Sequence, residues 1–104
     1  GPDVARAASE ALKAENELAD HEAHVRAEVR TALAKLQTTR RMAERYRTAI
    51  LPLKQDIVRL KEERYNYMLI GVFDVLLAKR DELSAYLSYI NVVRDYWLAR
   101  TTLM

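Results

Sequence analysis

A chain of 104 residues that is 50% hydrophobic and 31% charged, with only two glycines and two prolines, is built for long helices and very little loop. Seventeen basic against fifteen acidic side chains leave a formal net charge of +2, too even a balance to point to nucleic acid or an anionic membrane surface. With no cysteine, disulfides, thiolate metal sites and cysteine nucleophiles are excluded, and no apolar run approaches the roughly eighteen residues of a membrane-spanning helix.

Gly1-Pro2 reads as the scar of a removed tag, which sets both residues outside the fold and marks the chain as a piece of a larger protein. From Asp3 to Tyr67 the pattern is helical, with the Asp3 carboxylate as N-cap. Val25, Val29, Ala32, Leu36, Thr39, Ala43, Tyr46, Ile50, Leu53, Ile57 and Leu60 alternate by four and three, the seam of a coiled coil, which Arg64 and Tyr67 extend. Upstream the seam weakens to Val4, Ala8, Ala11, Glu15, Leu18 and Glu22.

Pro52 interrupts this run, and a proline inside a helix costs about 3 kcal/mol or more. The heptad phase nevertheless passes through it unshifted on Tyr46, Ile50, Leu53 and Ile57. A loop would normally reset that phase, so the reading is one kinked helix over about residues 3–67 rather than two helices. At about 1.5 Å per residue such a helix is an arm of roughly 95 Å.

Gly71 is the only glycine after position 1, and it falls between two helical runs. The chain is expected to reverse over about residues 68–72, Gly71 supplying a positive φ or a close backbone approach. A second helix follows over about 72–103, its seam Val72, Leu76, Lys79, Leu83, Tyr86, Ile90, Val93 and Trp97. Tyr89, Tyr96 and Leu98 widen its apolar band, as in a stave that packs between neighbours on both sides. The fold class is therefore all-α, a long antiparallel helical hairpin of coiled-coil character. The second helix covers the first only from about Leu36 to Tyr67. Residues from Asp3 to about Ala34 have no partner in their own chain, and amphipathic helices owe most of their stability to packing, so a homo-oligomer is expected.

Candidate chemistry is sparse. His21 and His24, with Glu17 and Glu28, share a helix face and offer donors that zinc favours, but one exposed helix does not close a tetrahedron, so a solvated polar face is the reading and no metal is expected. Arg40, Arg41, Arg45, Arg47, Lys54 and Arg59 point several ways around their helix, unlike a nucleic-acid footprint. No nucleophile–base pair, glycine-rich phosphate loop or pocket with paired carboxylates appears. Neither an enzyme nor a cofactor is expected.

The run from Tyr65 to Arg80, with Met68, Gly71, Asp74, Val75, Leu76 and Ala78, resembles the periplasmic tip pattern Tyr-x-x-Gly-x-x-Ser-x-x-Asp-Leu-Leu-x-Ala-x-Arg of the TolC-like outer-membrane efflux proteins of Gram-negative bacteria. Met68 stands in the glycine place and Gly71 in the serine place. Asp95-Tyr96-Trp97-Leu98-Ala99-Arg100 is similar to the end of the last tip-forming helix of the second repeat, and Ile50-Leu51-Pro52 to a segment within the preceding long helix.

That resemblance implies the second-repeat hairpin of a trimeric helical tunnel in the periplasm. The membrane would be met only through barrel strands this chain lacks. The tunnel would be a passive conduit docking a periplasmic adaptor and, through it, an inner-membrane pump. Tyr65, Asn66, Met68, Leu69, Gly71, Val72 and Phe73 would then form the docking tip. Asp74 would favour the positive end of the returning helix and, in a trimer, place negative charge around the pore entrance.

Two departures bear on the entrance. Leu77 replaces a second acid common in the family, and Ile70 stands where some members have arginine, so a hydrophobic constriction or an open entrance fits better than an ionic latch. An adaptor's own hairpin is the near alternative, but the Arg, Leu and Ser of adaptor turns are missing around Gly71. The distant alternative is a spectrin-like three-helix bundle or cytoskeletal coiled coil that breaks at Pro52.

Overall fold

A computed structural model describes residues 1–103. Helix α1 spans Pro2–Arg45, a wide π turn Tyr46–Ile50, helix α2 Leu51–Asn66 and helix α3 Val72–Leu103. The first three run on as one rod, α3 returns antiparallel along it, and the whole measures 96 × 21 × 15 Å. This is the expected all-α hairpin with a single reversal. A helix that continues past Pro52 rules out a three-helix bundle folding back at the proline.

At the start of α1 the cap differs from expectation. Gly1, not Asp3, is the N-cap; its carbonyl accepts from Val4 and Ala5 N–H, Pro2 occupies the first turn, and Asp3 lies within that turn. Proline suits this position because its missing N–H would have had no intrahelical partner. Of the two residues set aside as a tag scar, Pro2 therefore lies in the helix and Gly1 caps it.

Pro52 is accommodated by the π turn. Backbone at Arg45, Ile50 and Leu51 stays helical, and Leu51 N–H donates five residues back, to Tyr46 O. The wider turn loosens the ladder just where the proline ring would crowd a carbonyl and where no N–H is offered. It also corrects the expected seam. A π turn holds one residue more than an α turn, so the helix beyond it is rotated by one position, about 100°. Before it, Ala32, Leu36, Thr39, Ala43 and Tyr46 face α3 as expected. Beyond it Leu51 and Val58 are buried and Lys54, Lys61 and the expected Ile57 half-buried, whereas Leu53 is 57% exposed and Leu60 is also exposed.

Helix α3 likewise packs on a face adjacent to the expected one. Its inward residues are Val75, Ala78, Glu82, Ala85, Tyr89, Val92, Tyr96 and Ala99, an unbroken alternation by three and four. The larger apolar residues Leu76, Leu83, Ile90 and Trp97 repeat every seven positions and stay exposed. Small residues let the two backbones approach along the seam, and this closeness outweighs the greater apolar mass of the neighbouring stripe. Thr39, the one buried polar residue among those described, is satisfied locally: its hydroxyl donates to Lys35 O at 2.8 Å.

Cross-helix polar contacts fix the stagger of the hairpin. Lys79 Nζ lies 3.0 Å from a Glu62 carboxylate oxygen, and Gln55 Nε2 donates to the Tyr86 hydroxyl. The Tyr46 and Tyr89 rings sit 6.5 Å apart beside the π turn. At the open end Leu98, Ala99 and Thr102 lie across a groove from Ala27, Thr31 and Lys35. Residues 1–31 are exposed throughout. At about 1.5 Å per residue, roughly 40 Å of the rod extends beyond any cover from its own chain.

The rotated seam makes a mutational prediction. Leu51→Ala is expected to lower the stability of the monomer by about 2 kcal/mol, as a buried truncation does. Leu53→Ala is expected to change it by less than about 0.5 kcal/mol. Urea unfolding followed by circular dichroism at low concentration measures both. The opposite ranking would mean that the heptad phase runs straight through Pro52.

Candidate functional site

The tip is built by the end of α2, five connecting residues and the start of α3. Helix α2 ends in a Schellman motif: Leu69 N–H donates to Arg64 O at 2.9 Å, and Met68 N–H to Tyr65 O at 2.9 Å. These bonds satisfy carbonyls that the last turn would leave orphaned. The motif needs one residue in the left-handed region, and that residue is Met68, at φ 59°. Gly71 has no positive φ, and a Cβ added to it would meet nothing within 4 Å. The expectation that Gly71 makes the reversal is therefore corrected. Gly71 instead sits at the head of α3, its carbonyl accepting from Asp74 N–H at 3.2 Å.

With its backbone occupied by these caps, the turn leaves its side chains to solvent. Met68 is 93% exposed and Phe73 77%, and Tyr65, Tyr67, Leu69 and Val72 are exposed as well. Tyr65, Asn66, Met68 and Ile70 line a shallow, open depression, with Ile70 half-buried beneath it. All the residues expected at the tip are thus brought to one end of the rod. Sequence periodicity alone does not place Tyr67 among them, yet it stands between two of them and is 73% exposed. Its position in the helical seam assigned it to packing. Asp74 is exposed in the first turn of α3, where its charge is favourable to the helix dipole.

The chain matches no protein-family profile, no curated protein and no solved structure.

Elsewhere, apart from the Glu62–Lys79 pair across the hairpin, several charged side chains pair along their own helix. His24 Nε2 lies 2.9 Å from Glu28, Arg59 3.0 Å from Asp56, and Arg47 2.8 Å from Glu44. The bond from Arg47 to Glu44 and the carboxylate charge push that guanidinium above its ordinary value, so it stays charged at any working pH. Among the described residues no group of three or more His, Asp or Glu side chains is placed to hold a metal ion. Among the described residues no helix is long and apolar enough to cross a membrane.

The tip geometry is testable by stability alone. A non-glycine residue in the left-handed region costs roughly 1 kcal/mol, so Met68→Gly is expected to recover about that amount. Gly71→Ala is expected to stay within about 0.5 kcal/mol of the parent, since no strain or crowding opposes a Cβ there. Thermal unfolding by circular dichroism distinguishes them; a large loss at Gly71 would reverse the assignment.

Proposed function

We propose that this hairpin is a stave of a periplasmic export tunnel of the TolC-like kind, and that it docks a periplasmic adaptor through its tip. The observation that carries this reading is the apolar end of the rod. Five side chains, Tyr67, Met68, Leu69, Val72 and Phe73, stand in solvent around the reversal, where two Schellman bonds cap the end of α2. An end needed only to close the hairpin would turn such residues inward or replace them with polar ones. A contiguous exposed apolar patch on a rigid element marks a contact surface, and a helical tip fits another helical tip.

The remaining features agree with a passive role. Substrate would move past the stave without any bond being made or broken, driven by the inner-membrane pump to which the adaptor connects. In a trimer Asp74 would contribute a ring of negative charge at the entrance and favour cations. Ile70 and Leu77 offer no ionic latch, so the entrance would be an apolar constriction or open. The rod's bare first stretch, residues 1–31, would be covered by neighbouring staves. In this reading the chain is the periplasmic part of an outer-membrane protein, whose strands would supply the membrane contact.

The test separates docking from assembly. In the full-length parent, Phe73→Asp and Met68→Asn are each expected to reduce tolerance of the exported compound to that of cells lacking the protein. Oligomer assembly, read by crosslinking, is expected to be retained. Asparagine is chosen at position 68 because it tolerates the left-handed conformation and removes only the apolar surface. Unchanged tolerance with both variants would remove the docking role from the tip.

A further inference from the structure

Two apolar stripes remain outside the hairpin, and they lie on opposite broad faces. On one face, Lys79 and Tyr86 of α3 meet Glu62 and Gln55 of α2. Lys79 and Tyr86 flank the α3 stripe Leu76, Leu83, Ile90 and Trp97, all exposed, with Leu83 at 60%. On the other face, Ile50 and Lys54 border Asp81, Ser84 and Ser88. Ile50 and Lys54 lead round the rod to Leu53 and Leu60, also exposed. A surface with complementary patches on opposite sides joins copies head to tail, closing into a ring when the rotation permits.

The stagger of the hairpin sets the heights of these stripes. The Glu62–Lys79 and Gln55–Tyr86 contacts place Leu60 level with the interval between Leu76 and Leu83. They place Leu53 level with the interval between Leu83 and Ile90. Both stripes repeat every seven residues, so two hairpins side by side at equal height bring each leucine of one opposite a gap of the other. That is the knobs-into-holes arrangement. Beside the α3 stripe Lys79 pairs with Glu62, Arg80 with Asp81 and Arg94 with Asp95, and Asp56 beside Leu53 pairs with Arg59, while Glu63 and Arg64 border Leu60. Glu63 lies near the level of Arg80.

We propose that Leu53 and Leu60 of one copy seat between Leu76, Leu83 and Ile90 of a second copy, and that the π turn before Pro52 is what turns these two leucines outward to do so. The occupant of the face is another copy of this chain. The proposal rests on the self-association of staves proposed above, and it adds the residues, their register and the element that exposes them. Had α1 run into α2 as a regular helix, the same leucines would lie in the hairpin's own seam.

The chain has no cysteine, so engineered thiols report without background. Leu60→Cys and Leu83→Cys are prepared separately, mixed and oxidised, with circular dichroism confirming the helical content of each. The expected result is a disulfide-linked heterodimer at least tenfold in excess of either homodimer. In parallel, the double variant Leu53→Glu, Leu60→Glu is expected to shift sedimentation to monomer at about the same helical content. A parent chain that sediments as a monomer at about 100 µM, roughly a hundredfold above a micromolar Kd, overturns self-association and this proposal together. An oligomeric parent with homodimer crosslinks in excess, or one unmoved by the two glutamates, overturns the proposal alone.

Discussion

The close approach of the two helices over a line of small side chains governs this molecule. Ala78, Ala85 and Ala99, with Val75 and Val92, are the buried residues of α3. Because they are small, the hairpin gains contact by proximity of its backbones, and its core is one residue wide and never more than partly sealed. No large side chain is fully buried anywhere in the described chain. The larger apolar residues, Leu76, Leu83, Ile90 and Trp97, are left on the outside. A pair of helices has too little interior to stand on hydrophobic burial alone, so what is left outside defines how the chain meets others.

The π turn has a similar status on the opposite rod. A proline in a helix can end it, bend it or be absorbed by a local widening, and here the third outcome holds. One extra residue in the turn splits what the sequence writes as a single seam into two. Thr39, Ala43 and Tyr46 continue to face α3, while Leu53 and Leu60 leave it and Leu51 and Val58 enter. The aromatic pair Tyr46–Tyr89 and the Gln55–Tyr86 hydrogen bond bracket this point and hold the two arms in register across it. The tip is likewise decided by backbone bonding. The Schellman bonds cap the end of α2 and the Gly71 carbonyl accepts from Asp74 N–H, while the tip side chains face solvent.

Much of this was legible in the residues. The scarcity of glycine and proline, the two long heptad runs and the position of the break near residue 70 determine a hairpin with arms of unequal length. The apolar tip follows from Met68, Leu69, Val72 and Phe73 crowding a reversal. What the residues hid has specific causes. Heptad counting assumes a constant number of residues per turn, and a π turn is invisible to it unless Pro52 is taken as its signal. Counting also favours large apolar side chains, so it selected Leu83 and Ile90 over Ala85 and Val92. Gly71 drew attention as the lone glycine, although the left-handed residue is Met68.

The claim on which the rest depends is that α3 faces its own long helix with alanine and valine and faces outward with leucine, isoleucine and tryptophan. Rates of maleimide labelling at Ala85→Cys and Leu83→Cys, measured at concentrations dilute enough to keep the chain monomeric, test it most directly. The account predicts slow labelling at position 85 and labelling at position 83 near the rate of an unfolded chain. Equal rates, or protection at 83 with free reaction at 85, would contradict it.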